Sequence, residues 1–228
     1  MFRLDVISNN LANYATAGFK EDKPYFRDIM QFFSDNRFAS QRRNASLSRS
    51  INSATNFSPG VIRQTGNELD VAIQGDGFFV AQKDGQEIFT RCGTFRLDEE
   101  GRLTTPDGSL VMGEGGEIVV GPGALEVDSE GNIMVNGETI DKLKIIEFDD
   151  HKKLQKRSGN FFENKGAANP NDEPEFKIVH KALEMSNVNP VRQLAELVDA
   201  GRSFEAYQKI IKIIDDINQS STSTLGRV

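Results

Sequence analysis

Residues 78–90 read FFVAQKDGQEIFT. Two short apolar runs, FFVA and IF, stand on either side of Asp84-Gly85. Asp-Gly supplies the positive φ angles that a two-residue hairpin loop demands, so this stretch predicts two antiparallel strands joined by a tight turn. The same sign recurs on both sides. Gly75-Asp76-Gly77, Glu100-Gly101, Asp107-Gly108, Gly115-Gly116, Gly121-Pro122-Gly123, Glu130-Gly131 and Asn136-Gly137 punctuate residues 68–148. Between them lie VAI, EIVV, LEVD, NIMV and LKIIEF. Short apolar runs at roughly 8–12-residue intervals predict an antiparallel barrel or sandwich.

Helical patterns flank this body. Near the N-terminus Leu4, Ile7 and Leu11 recur at 3–4 spacing, and Gly18 is a natural terminator. A helix over residues 1–13 is marginal alone, so it needs a partner surface. The clearest helix covers residues 190–218, with Asn189 placed to cap it and Pro190 at its first position. Leu197, Ala200, Phe204, Tyr207, Ile211 and Ile214 form a 3–4 seam, widened by Leu194, Val198, Gly201, Ile210 and Ile217. At 1.5 Å per residue the helix is about 44 Å long, and such a seam calls for another helix. The tail SSTSTLGRV is expected to fray. Residues 21–67 carry little periodicity. Phe26, Ile29, Phe32 and Phe33 suggest at most a short helical stripe, and the scattered Arg37, Arg42, Arg43, Arg49 and Arg63 read as part of a loop. Residues 158–186, with Asn169-Pro170-Asn171 and Glu173-Pro174, read as transitional.

Composition narrows the function. At ~150 residues per domain, 228 residues make about one and a half domains. Lys and Arg number 27 against 34 Asp and Glu, so the net charge of −7 argues against bulk nucleic-acid binding. A single cysteine, Cys92, excludes an internal disulfide. One Cys with two His, His151 and His180, cannot build the usual Cys/His zinc site. No apolar run approaches the ~20 residues of a membrane helix, and the N-terminus lacks the apolar segment of a cleaved signal. The carboxylate pairs Glu99–Glu100 and Asp149–Asp150 are sequence neighbours at turns. The glycine-rich stretches lack the third glycine or the Lys-Ser/Thr of a phosphate cradle. No catalytic, metal or cofactor site is expected.

Three stretches together resemble one family. They are LDVISNNLANYATAGFK (4–20), the run from TGNELDVAIQGDGFFV to LVMG (65–113, preceded by NFSPG at 56–60), and LEMSNVNPVRQLAELVDAGRSFEAYQKIIKIIDDI (183–217). In this order the chain resembles the flagellar rod and hook proteins of bacteria. The resemblance implies a structural subunit and not an enzyme. It implies a mainly β body with N- and C-terminal helices that pair in a helical assembly, a hollow shaft spanning the periplasm and transmitting torque. It also implies export through the flagellar type III apparatus, without a cleaved signal, and partners among other copies and neighbouring rod and hook proteins. The subunit-contact residues it implies are Leu4, Ile7, Asn9, Asn10, Leu11, Asn13, Gly18 and Phe19, with Leu197, Ala200, Phe204, Tyr207, Ile211 and Ile214 on the C-terminal helix.

The expected organisation is discontinuous: residues 1–22 with 186–228 as the helical rod core, 23–66 as a linker region, and 67–185 as the β-rich outer domain. Family members usually carry about twenty further residues before the first motif; the short middle favours a rod over a hook subunit, and Arg202-Ser203-Phe204-Glu205 leans toward the proximal rod. The competing readings are a hook subunit, a β-domain that binds cell-wall carbohydrate, and a hydrolase on the β scaffold.

Overall fold

The computed structural model describes residues 2–32, 45–157, 160–166, 168–171 and 175–225. It opens on α1 (Phe2–Ala12), followed by β1 (Asp22–Phe32) and β2 (Ala45–Thr55). Next come β3 (Ile62–Gln64), β4 (Val71–Gly75), β5 (Phe78–Lys83), β6 (Gln86–Thr90), β7 (Arg96–Leu97), β8 (Leu103–Thr104), β9 (Leu110–Gly113) and β10 (Gly116–Glu117). A three-stranded meander of β11 (Leu125–Val127), β12 (Asn132–Val135) and β13 (Glu138–Lys142) follows. Then β14 (Ile145–Phe148), a 3-10 turn (His151–Lys153), β15 (Gln155–Lys156), β16 (Phe161–Glu163), β17 (Pro170–Asn171), β18 (Phe176–His180) and β19 (Ala182–Glu184) lead into α2 (Pro190–Leu225).

The expected class holds: antiparallel sheets between two terminal helices, without closure into a barrel. The main sheet runs β15-β16-β6-β5-β9-β8-β7, with β14 also against β5. The hairpin at Asp84-Gly85 forms as expected. Lys83 pairs with Gln86, and both loop residues take positive φ, 52° and 77°. β5 explains why its sequence reads as an unbroken apolar run. Phe79 enters one buried cluster with Val71, Phe95 and Ile133, while Phe78 and Val80 enter a second with Phe89, Phe148 and Phe162. A strand covered on both faces needs no polar alternation. Each large side chain buried this way contributes roughly 1.5–3 kcal/mol.

One turn is built twice. Asp98 accepts from the backbone N–H of Glu100 (3.1 Å) and Arg102 (2.8 Å), and Arg102 Nε donates to its other oxygen at 2.8 Å. Asp128 repeats this with Glu130 N (2.8 Å), Asn132 N (2.9 Å) and Asn132 Nδ2 (2.6 Å). The sequences LDEEGRL (97–103) and VDSEGNI (127–133) therefore code one device, an aspartate that satisfies the turn backbone on both sides of a glycine.

Three stretches differ from expectation. Between residues 22 and 55, β1 and β2 pair in register from Asp22–Thr55 to Phe32–Ala45, where a loop with a helical stripe was expected. A two-stranded ribbon draws its bonds from the backbone, so it needs no strong side-chain pattern. Phe33, Arg37, Arg42 and Arg43 lie outside the described residues. The transitional stretch also holds strands, with β18 on β4 and β19 on β3. The seam helix reaches Leu225, through residues expected to fray. Propagation adds one hydrogen bond per residue fixed, so a nucleated helix extends into polar sequence at little cost.

Candidate assembly site

The three sequence stretches that carry the family resemblance meet at a buried neck. Lys20 ends the first, Arg91 lies in the second and Glu184 in the third. Lys20 Nζ sits 2.7 Å from Glu184 Oε1 and donates to Ser58 O at 2.9 Å. Arg91 reaches Glu184 Oε2 at 3.4 Å and Gly75 O at 2.8 Å. Gly60 N–H donates to Glu184 Oε1 at 2.8 Å. The three side chains are only 1%, 4% and 2% exposed (Lys20, Arg91, Glu184). Burial pulls the Lys20 ammonium and the Arg91 guanidinium below their ordinary pKa values, and the Glu184 carboxylate only partly offsets it.

A second polar layer lies beside the first. Gln193 Nε2 donates to Glu21 Oε1 at 3.0 Å, and Glu21 N–H donates to Asn187 Oδ1 at 2.8 Å. Asn187 Nδ2 also donates to Asn56 O (2.8 Å) and Ser58 O (2.9 Å). Asn10 bridges Asp22 by accepting from its N–H at 2.9 Å and donating to its O at 2.7 Å. Gly18 makes the docking possible. Its φ is +68°, and a Cβ there would stand 2.3 Å from Cys92 N and 2.4 Å from Arg91 C. Phe19, 2% exposed, follows it into the body, with Lys156 Nζ 4.0 Å from its ring centroid.

α2 rises from this neck. Asn189 Oδ1 accepts from Arg192 N–H at 3.1 Å, the expected cap. Gln193, Glu196, Leu197, Ala200 and Gly201 are buried or half-buried, at the i, i+3, i+4, i+7, i+8 spacing of one helix face. α1 packs against α2. With 11 residues against 36, α1 is about 16 Å long and α2 about 54 Å. From Arg202 to Ile217 every residue of α2 is exposed. Phe204, Tyr207, Ile211 and Ile214 continue the face that begins at Leu197 and Ala200, and they are 36%, 66%, 59% and 51% exposed. Proteins rarely expose a contiguous apolar stripe of this length without an interaction role for it.

Comparison with known proteins places this geometry. Residues 2–20 match the flagella basal body rod protein family, residues 72–140 the flagellar hook protein FlgE/F/G D1 domain, and residues 179–225 the flagellar basal body rod FlgEFG protein C-terminal family. The chain is 32% identical to the flagellar basal-body rod protein FlgG of Bacillus subtilis, over 95% of this chain and 91% of that one. It is 29% identical to the FlgF of Caulobacter vibrioides, over 99% of this chain and 92% of that one. The chain belongs to the flagellar basal-body rod protein family.

Within this rod-family chain the expected contact residues divide by burial. Ile7, Asn10, Gly18 and Phe19 are buried inside the chain, where they dock the N-terminal segment. Asn13 caps α1, its Nδ2 donating to Asn9 O at 2.9 Å. Leu4, Leu11, Leu197 and Ala200 are half-buried, and Asn9 is exposed. Phe204, Tyr207, Ile211 and Ile214 face solvent. Sequence reading missed Lys20, Glu21, Arg91, Glu184, Asn187 and Gln193. Their partners lie up to 183 positions apart, and the one available sign was a carboxylate inside the apolar run Ala182-Leu183-Glu184-Met185.

Other reactive groups have structural settings. Cys92 is buried, and burial raises its thiol pKa. His151 packs against Phe57 at a tilt and Phe78 edge-on, both ring centroids at 5.4 Å, and burial lowers its pKa. His180 Nε2 lies 2.9 Å from Glu68 O. Among the described residues no cluster of His, Cys, Asp and Glu could hold a metal ion, and no helix is long and apolar enough to cross a membrane.

Proposed function

We propose that this chain is a structural subunit of the flagellar basal-body rod that assembles with other copies, and with neighbouring rod and hook proteins, through the open seam of α2. The observation that carries this reading is the apolar stripe from Phe204 to Ile217, which continues the face that α1 covers at the base and has no cover of its own beyond Gly201. The relatives are named basal-body rod proteins, which agrees with that use. In this reading the helices stack into the inner wall of a hollow shaft across the periplasm, and the β body forms its outer layer. The shaft carries torque from motor to hook. Subunits reach it unfolded through the flagellar export apparatus, and the single buried cysteine suits that route because no disulfide must form afterwards.

The test is complementation of a strain lacking the corresponding gene. The unmodified chain restores swimming. Phe204→Asp and Ile211→Asp leave the soluble subunit folded, since both side chains stand in solvent, but stop the basal body at the rod stage. Arrest at the hook stage, or normal swimming by the doubly substituted chain, would overturn the assignment.

A further inference from the structure

We infer that the clamp formed by Glu21, Asn187 and Gln193 is the joint that fixes the angle at which α2 leaves the β body, so that load on the helix reaches the body without slack. This rests on the assembly reading above. α2 is exposed from Arg202 to Ile217 and continues to Leu225, so it extends about 36 Å beyond Gly201 at 1.5 Å per residue. A tilt of about 10° at the base would carry its tip about 6 Å over that length. Position along the shaft therefore depends on how firmly the first turns are held.

Apolar packing there is thin. Leu197, Ala200 and Gly201 are only half-buried, and Val191, Leu194 and Val198 face solvent. The deeply buried side chain of the first two turns is polar: Gln193, 2% exposed. It reaches Glu21 at 3.0 Å, and Asn10 Nδ2 approaches its oxygen at 3.5 Å. Glu21 is held in turn at its N–H by Asn187 (2.8 Å) and at its second oxygen by Asn56 Nδ2 (3.3 Å). Planar amides bonded to a carboxylate fix direction as well as distance, and a satisfied buried network resists the sliding that apolar contact permits. The Lys20–Glu184–Arg91 cluster holds β19, before the helix; the clamp holds the helix itself. Gln193 is thus a positioning residue, acting on the seam through the orientation of α2.

A charge swap tests this. Gln193→Glu sets two carboxylates against each other where a 3.0 Å hydrogen bond stood, and like charges that close cannot both stay ionised and bonded. Glu21→Gln with Gln193→Glu restores one donor and one acceptor in reversed order. Spin labels at Lys209→Cys on α2 and Glu126→Cys on β11, both exposed, report the helix–body distance by double electron–electron resonance in the full chain. The buried Cys92 stays unlabelled. The expected result is a narrow distribution for the parent chain, at least twofold broader for Gln193→Glu, and narrow again for the swap. Equal widths throughout would overturn the inference. If circular dichroism shows that Gln193→Glu disturbs the β body, Gln193→Met removes the bonds without adding charge and carries the test by the same readout. In cells, the single variant is expected to build basal bodies in normal number yet swim more slowly in viscous medium, with the swap restoring speed. Full speed under load would overturn the joint's mechanical role. Failure of the unmodified chain to complement would instead sink the rod reading and leave the distance measurements standing.

Discussion

Neutralising Glu184 and neutralising Lys20 should have very unequal effects. The neck cluster holds two cations and one anion, with all three side chains at most 4% exposed. Lys20→Met leaves Arg91 and Glu184, one charge of each sign, and Gly60 N–H still donates to Glu184 at 2.8 Å. Ser58 O keeps Asn187 Nδ2 at 2.9 Å. The loss is then two hydrogen bonds from Lys20, to Glu184 and Ser58, whose gain was already opposed by the desolvation of the ammonium, a net cost of about 1 kcal/mol. Glu184→Gln leaves Lys20 and Arg91 buried together, with the exposed Asp76 near both and the half-buried Glu147 near Arg91 as the remaining counter-charges. Breaking a buried ion pair by removing one partner costs about 3–5 kcal/mol. For a chain of this size each kcal/mol moves Tm by about 2–4 °C, so the two variants should differ by roughly 4–16 °C.

Urea denaturation followed by far-ultraviolet circular dichroism measures both variants, and hydrogen exchange of residues 17–22 shows whether the N-terminal segment undocks first. The pH dependence supplies a second sign. Lys20 has a folded pKa below its ordinary 10.5, so between the two values the unfolded chain binds more protons. The penalty for holding Lys20 charged is full below the folded value and is relieved as pH rises toward 10.5. Stability of the parent relative to Lys20→Met should therefore rise over that window. Equal losses from Lys20→Met and Glu184→Gln would refute the two-cation argument, as would a parent that loses stability relative to Lys20→Met across it.

Gly18→Ala should cost about 1–3 kcal/mol from its positive φ and close approach to the Arg91–Cys92 backbone, and should make residues 2–22 the first site of limited proteolysis. Bonds from Asn132 and the turn N–H groups overcome burial and hold the Asp128 carboxylate below its ordinary range; the stability it contributes is present above about pH 4 and is lost as pH falls through its folded value. Asp128→Asn should cost about 1 kcal/mol at neutral pH, after solvent screening, and flatten the acid limb of a urea-midpoint profile. Cys92, buried and with its thiol pKa raised, should react with iodoacetamide only as fast as the chain opens, giving the same rate as amide exchange in the β5–β6 core.

The parts of the fold legible in sequence are those governed by local rules. Asp84-Gly85 states its turn because two positive φ angles admit few residue types, and Asn189-Pro190 states where α2 begins for a similar reason. The seam is legible because 3–4 spacing survives whether or not a partner is present. The neck is not legible. Lys20 and Glu184 are 164 residues apart, and nothing local distinguishes a lysine that will be buried from one that will be solvated. The ribbon is illegible for the opposite reason: β1 and β2 satisfy each other's backbone, so their side chains need announce nothing.

That contrast explains how the polar and apolar residues are divided. The chain joins its termini to its body with amides and charges, Asn10, Lys20, Glu21, Glu184, Asn187 and Gln193, and keeps the isoleucines of α2 from Ile210 to Ile217 in solvent. Had the neck been closed by a stripe of Leu and Ile, the exposed seam would compete for the same N-terminal segment, since apolar faces discriminate poorly between partners of similar size. Glu184 removes that degeneracy. A seam of Ile210, Ile211 and Ile214 offers Lys20 only the exposed Asp215 and Asp216 nearby, so docking the segment there would forfeit the buried pair with Glu184. The cost of burying the cluster thus sets one register for the N-terminal segment and leaves the seam free for a neighbour.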